Sequence, residues 1–183
     1  MEQRIKIAGT GGQGVMVTGK ILGYAASDHD KFASFLPQYG TQMRGGTASC
    51  TLIVSDEEIG SPIVSIADLM MMFQQEALDK NIDKLKPGGL LFINSNTCEI
   101  PNRSDIEVVA LPVDELAREM GSKQVANIIM LGAYAAKTGM FTVPEIIHTL
   151  EHVFESKPKV WDINERALVK GANLIYDGQG EQK

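Results

Sequence analysis

Only two cysteines, Cys50 and Cys98, stand among 183 residues, and that scarcity is the first constraint on chemistry. An iron–sulfur cluster or structural zinc site usually takes four thiolates, so this chain is expected to hold no cluster and no metal of its own. The two thiols read instead as reduced, small apolar residues. Basic stretches are missing too. With 17 Lys and Arg against 23 Asp and Glu, and a net charge of −6, no basic strip interleaved with aromatics marks a nucleic-acid reader. No apolar run approaches the roughly 18 residues of a membrane span. The N-terminus passes from Glu2, Gln3 and Arg4 straight into a strand pattern, without the apolar segment of a signal peptide. A soluble cytoplasmic protein is the expectation. No serine sits in a G-x-S-x-G elbow, which leaves an esterase triad unsupported.

What is present is 44% hydrophobic content, enough for one sizeable core and a single domain over residues 1–183. The chain is organised around Ile5–Gly14. The apolar run Ile5–Ala8 predicts a buried strand, and the glycines after it permit a sharp turn before a helix begins near Gln13. Gly9, Gly11 and Gly14 satisfy G-x-G-x-x-G, a spacing in which absent side chains let a helix N-terminus approach a phosphate or another backbone closely.

The spacing of Val17, Ile21, Leu22 and Ala25 predicts a helix over 15–26. A second strand is expected over 31–36. Pro37 then opens a polar loop carrying Tyr39, Arg44 and the glycines Gly40, Gly45 and Gly46, a connector long enough to suggest function. Strands follow at 47–55 and 68–73. A helix over 75–85 is stopped by Pro87-Gly88-Gly89 ahead of a strand at 90–94. An exposed loop at 95–104 precedes a strand at 106–111, and the order is that of a doubly wound α/β fold with a largely parallel sheet. The C-terminal part is helical: 113–120, 125–137, a helix opened by the Thr142/Glu145 capping box, and a last one from Asp162 to about Tyr176. Residues 177–183 form a polar tail.

Each motif has a competing reading. A nicotinamide site needs an acidic residue at the end of the second strand, and Phe35-Leu36-Pro37 supplies none. Gly9, Gly11, Gly12, Gln13 and Gly14 therefore serve either a purely structural turn or a phosphate-bearing cofactor or partner backbone. Arg44 with Gly45 and Gly46 is either a carboxylate- or phosphate-binding device or an ordinary surface arginine. His148-Thr149-Leu150-Glu151-His152 matches the inverted zinc-hydrolase pattern, but the apolar stripe of that helix leaves both imidazoles on a solvated face.

Three separated stretches together, Gly9-Thr10-Gly11-Gly12-Gln13-Gly14, Tyr39-Gly40 with Met43-Arg44-Gly45-Gly46, and Ala126-Asn127-Ile128-Ile129-Met130-Leu131-Gly132-Ala133, resemble the gamma subunit of 2-oxoacid:ferredoxin oxidoreductases. Ile59-Gly60-Ser61-Pro62, Ala67-Asp68, Pro87-Gly88-Gly89 and Asn164-Glu165-Arg166-Ala167 support the resemblance, which covers nearly the whole chain. Thr41-Gln42 departs from the family's usual Pro-Glu. The resemblance implies a Rossmann-like fold and a share in the coenzyme A-dependent oxidative decarboxylation of a 2-oxoacid. In that reaction thiamine diphosphate with magnesium, iron–sulfur clusters and coenzyme A act in the complex, and ferredoxin takes the electrons. It implies alpha and beta partner subunits, with or without a ferredoxin-like delta subunit, and no catalytic residue in this chain. A stand-alone Rossmann-type nucleotide-binding oxidoreductase is the rival reading.

Overall fold

Six strands form one sheet in the computed structural model, which describes residues 1–39, 46–155 and 158–180. They are β1 (Glu2–Thr10), β2 (Phe32–Tyr39), β3 (Thr47–Ser55), β4 (Ala67–Met72), β5 (Leu85–Asn94) and β6 (Glu107–Leu111), in the order β2-β3-β1-β4-β5-β6. β1, β4, β5 and β6 run parallel, while β3 is antiparallel to both β1 and β2. The chain divides into two units: Met1–Pro112, which holds the sheet, and the helical Val113–Lys183.

In the first unit, helix α1 (Val15–Asp28) and helix α2 (Gln75–Asn81) cover opposite faces of the sheet. A Cβ on Gly19 of α1 would strike Phe35 and Cys50, and Cys50 is the cross-strand partner of Ile7. Ala77 and Leu78 of α2 pack instead with Ala8, Met70, Met72, Leu91 and Ile93. Ile7 and Ala8 are neighbours on one strand, and successive strand residues face opposite sides. This is the doubly wound arrangement the order of elements predicts. The interior is apolar: Ile5, Ile7, Leu52, Leu69, Met70, Met71, Phe92 and Ile93 are all essentially inaccessible.

Two boundaries differ from the sequence reading. Pro37 lies inside β2 rather than opening a loop, because β2 is a sheet edge, where the missing N–H is tolerated. The helix expected over 75–85 stops at Asn81 and passes through a 3₁₀ turn, Ile82–Lys84, into β5. Pro87-Gly88-Gly89 falls within that strand, not before it. Ala67 pairs with Leu85 and Leu69 with Leu90, so the Pro-Gly-Gly segment is looped out as an irregularity, with Gly88 at φ 71°.

The second unit contains helices α3 (Val113–Glu119), α4 (Ala126–Thr138), α5 (Val143–Phe154) and α6 (Pro158–Gly180). Every residue from Ala126 to Ala135 is buried, as expected of a helix that is apolar all round. The α4–α6 crossing is set by glycine: a Cβ on Gly132 would lie 1.9 Å from the Leu168 carbonyl oxygen, and one on Gly171 1.8 Å from that of Ile129. The Thr142/Glu145 capping box forms as expected, the Thr142 N–H donating to Glu145 Oε2 at 2.6 Å. α6 starts four residues earlier than the Asp162 signal suggests and ends at Gly180 rather than Tyr176, taking in part of the expected tail. Proline suits the first position of a helix, and Asp162 becomes the i, i+4 partner of Arg166 at 3.4 Å. The remainder of the tail, 181–183, lies outside the described residues.

Candidate functional site

In an open α/β sheet, ligands bind beyond the carboxyl ends of strands where successive crossovers diverge. Here that point lies between β1 and β4: the connection from β1 through α1 leads to β2 on one flank, and that from β4 through α2 leads to β5 on the other. The glycine turn occupies this position. Its glycines have different reasons. Gly12 and Gly14 adopt φ 95° and 76°, the left-handed region that favours glycine. Gly9 is excluded from bearing a side chain by contact, since a Cβ would lie 2.5 Å from Gln13 Oε1 and 3.0 Å from Phe73 Cβ. Gly11 has neither reason: its φ is not positive, and among the described residues nothing lies within 4 Å of where a Cβ would be.

Gln13 faces inward. Its Oε1 accepts from the Thr10 N–H at 2.7 Å, and its Nε2 donates to the Phe73 carbonyl at 3.1 Å. The amide thus latches the turn to the end of β4. Thr97, from the loop after β5, donates its hydroxyl to the same Phe73 carbonyl at 2.8 Å, and the Phe73 N–H donates to the Ala8 carbonyl at 2.9 Å. Ends of three neighbouring strands are therefore fastened around one residue, Phe73. Sequence reasoning singled out Gln13 but not Thr97, whose only signal was its place in a Ser/Asn/Thr-rich loop after a strand.

Of the second predicted stretch, Arg44 and Gly45 lie outside the described residues. Gly46 is described, and its carbonyl accepts from the Gly11 N–H at 3.1 Å, so the two glycine-bearing segments meet. At the start of α1, Gly14 provides no side-chain cap and the first turn carries no acidic residue. The helix thus brings no carboxylate of its own in its first turn to meet the positive end of its dipole. β2 ends at Gln38-Tyr39 with no acidic residue in the strand, so the group that would hold a dinucleotide ribose is absent from the expected position.

The remaining candidates are separate from this turn. Cys50 and Cys98 are buried, against Val15 and Met72 respectively. Burial pushes the Cys50 thiol up to about 12, which suppresses the thiolate a metal or redox role needs. Two buried thiols do not supply the four thiolates an iron–sulfur cluster usually takes. His148 and His152 stand on an exposed face of α5 with Nε2 atoms 3.3 Å apart. His148 Nδ1 lies 3.4 Å from Glu151. Among the described residues, no group of three or more His, Cys, Asp or Glu side chains is placed to hold a metal, and no helix is long and apolar enough to cross a membrane.

Comparison with known proteins matches residues 4–174 to the family model described as pyruvate ferredoxin/flavodoxin oxidoreductase. The ketoisovalerate oxidoreductase subunit VorA of Methanothermobacter marburgensis is 35% identical over 94% of this chain, but the match spans only 36% of VorA. Subunit KorC of the 2-oxoglutarate synthase from the same organism is 33% identical over 98% of this chain and 100% of its own length. The gamma subunit of a keto/oxoacid ferredoxin oxidoreductase from Geobacter sulfurreducens superposes with a TM-score of 0.84 at 28% identity, covering 97% of this chain and 98% of that one.

Proposed function

Because this chain belongs to the pyruvate ferredoxin/flavodoxin oxidoreductase family, we propose that it is the gamma-type subunit of a cytoplasmic 2-oxoacid:ferredoxin oxidoreductase, acting as one domain over residues 1–183. The observation that carries this reading is the end-to-end correspondence with KorC, together with a family match that runs through both units of the fold. Companion alpha and beta chains hold thiamine diphosphate, magnesium and the iron–sulfur clusters, and electrons leave to ferredoxin. This chain's contribution is the corner at the β1/β4 switch point. Gln13 and Thr97 tie the turn to the end of β4, α1 presents its N-terminus with no acidic residue in its first turn, and among the described residues nothing crowds Gly11. An anionic group such as the diphosphate of coenzyme A, or a backbone segment of a companion chain, fits that corner. Arg44, Gly45 and Gly46 belong to the same proposed site. The VorA and KorC similarities favour a branched-chain oxoacid or 2-oxoglutarate as substrate.

The test is anaerobic affinity isolation from the native source, identification of the chains that copurify, and assay of several oxoacids with coenzyme A and a ferredoxin. Activity is expected only when the companions are present. Turnover by the isolated chain, or micromolar binding of NAD or FAD to it, would return the stand-alone oxidoreductase to first place. In the assembled enzyme, Gly11→Val is expected to leave the melting temperature within about 1 °C, since surface changes away from packed features are small. A raised KM for coenzyme A would assign the corner to that substrate, whereas reduced assembly at unchanged KM would assign it to a companion chain.

A further inference from the structure

Strand β2 is an edge of the sheet. It pairs with β3 alone among the described residues, and its eight residues, Phe-Ala-Ser-Phe-Leu-Pro-Gln-Tyr, include no charge. Edge strands of independent proteins are normally blunted by charged side chains, bulges or covering segments, because an exposed uncharged edge pairs with other chains. β2 has only Pro37. Phe32, Leu36 and Tyr39 are 45%, 39% and 74% exposed. Of the other large exposed apolar residues, Ile63 and Ile66 lie in the connection between β3 and β4, outside any strand edge, and Tyr24, Ile100 and Tyr176 are scattered.

The occupant is indicated by the relatives. In VorA this unit is about a third of a longer polypeptide, whereas KorC is matched over its full length. A contact made within one chain in the fused form must be made between chains when the unit is separate. Resting on the subunit reading above, we infer that β2, through Phe32, Leu36, Tyr39 and the backbone edge it does not share with β3, is the docking surface for the companion polypeptide corresponding to the remainder of VorA. Aromatic and aliphatic side chains on a rigid strand supply the desolvated anchors of such an interface, and the outer edge is suited to strand addition.

The experiment is anaerobic co-expression with the source organism's polypeptide most similar to the rest of VorA, that polypeptide carrying the affinity tag. Phe32→Asp, Leu36→Asp and Tyr39→Asp are compared with Ile100→Asp and Tyr176→Asp. The β2 variants are expected to bind the companion at least about tenfold more weakly, the loss typical of an interface anchor, at unchanged melting temperature, and the two controls to bind normally. Should Leu36→Asp unfold the chain, Tyr39→Asp carries the test, because that side chain is largely in solvent. Equal uptake of the β2 variants would overturn the inference, as would a complex in which Tyr39→Cys crosslinks to the same position of a second copy. If the wild-type chain takes up no companion at all, the subunit reading fails with it; if the wild type assembles and the β2 variants assemble equally well, only the docking surface fails.

Discussion

Gln13 shows how a residue legible as part of a motif can have the opposite orientation from the one its type suggests. An amide at a helix start reads as a ligand contact, yet both of its hydrogen-bonding ends are used internally, one of them on a carbonyl 60 positions away. No local pattern contains that partner. The consequence is testable: Gly9→Ala drives a methyl into Gln13 and Phe73 and is expected to lower stability by about 1–3 kcal/mol, the usual cost of overpacking. Chemical denaturation measures it. Lys6 and Thr51 make a second residue-scale case, as directly paired strand residues in an otherwise apolar row. Burial, reinforced by Lys84, lowers the Lys6 amine, and Thr51 Oγ1 is buried without a hydrogen-bond partner. Thr51→Val keeps the shape and removes the orphaned hydroxyl, so its midpoint of denaturation is expected to rise, by about 1 kcal/mol in stability.

At the scale of elements, the sequence is most informative where one period dominates. β3 is found over the span its alternation predicts, and α5 begins at its capping box. The parallel βαβ units follow from strands alternating with short helices and Pro-Gly punctuation. Boundaries slip where tertiary pairing overrides local chemistry, as at Pro87-Gly88-Gly89, which bulges out of the ladder inside β5 because Leu85 on one side of it and Leu90 on the other both pair with β4. In the glycine turn, spacing revealed the segment, but the distinction between Gly9, needed for contact, and Gly11, open to its surroundings, depends on packing that no spacing encodes. The Ala126–Ala133 stretch was legible as a helix and as part of a family resemblance. Its physical demand is the reciprocal approach of Gly132 and Gly171. Gly132→Ala would place a methyl against a backbone carbonyl that cannot move aside without displacing α6. A loss of about 3 kcal/mol or more is expected, at the upper end of overpacking effects, and hydrogen exchange should locate it in α4 and α6. Gly171→Ala should behave alike, and the two losses should not add, because both act on one crossing.

At the scale of the molecule, the acid response is set by where its paired carboxylates lie. Asp56 joins three distant parts of the first unit: its carboxylate accepts from Lys31 and, at 2.6 Å, from the terminal amine, and its own N–H donates to the Met1 carbonyl. The hydrogen bonds from Lys31 and then the terminal amine hold its pKa near 2. Asp105 is lowered chiefly by hydrogen bonds from Arg103, which grips it through Nε at 2.9 Å and Nη2 at 2.6 Å and reaches the carbonyls of Ile82 and Leu85. A carboxylate whose pKa is lower folded than unfolded binds fewer protons in the native state. Its contribution is therefore fully present above the ordinary range near 4 and is lost as pH falls toward the folded value. Both groups belong to Met1–Pro112. Lowering the pH from 5 to 2.5 should therefore weaken hydrogen-exchange protection first in β1, β3 and β5. The pair Asp56→Asn and Asp105→Asn should lower stability at pH 6 while flattening its dependence on pH below 4. An unchanged acid slope in the double variant would mean that these two ties do not set the response of the sheet.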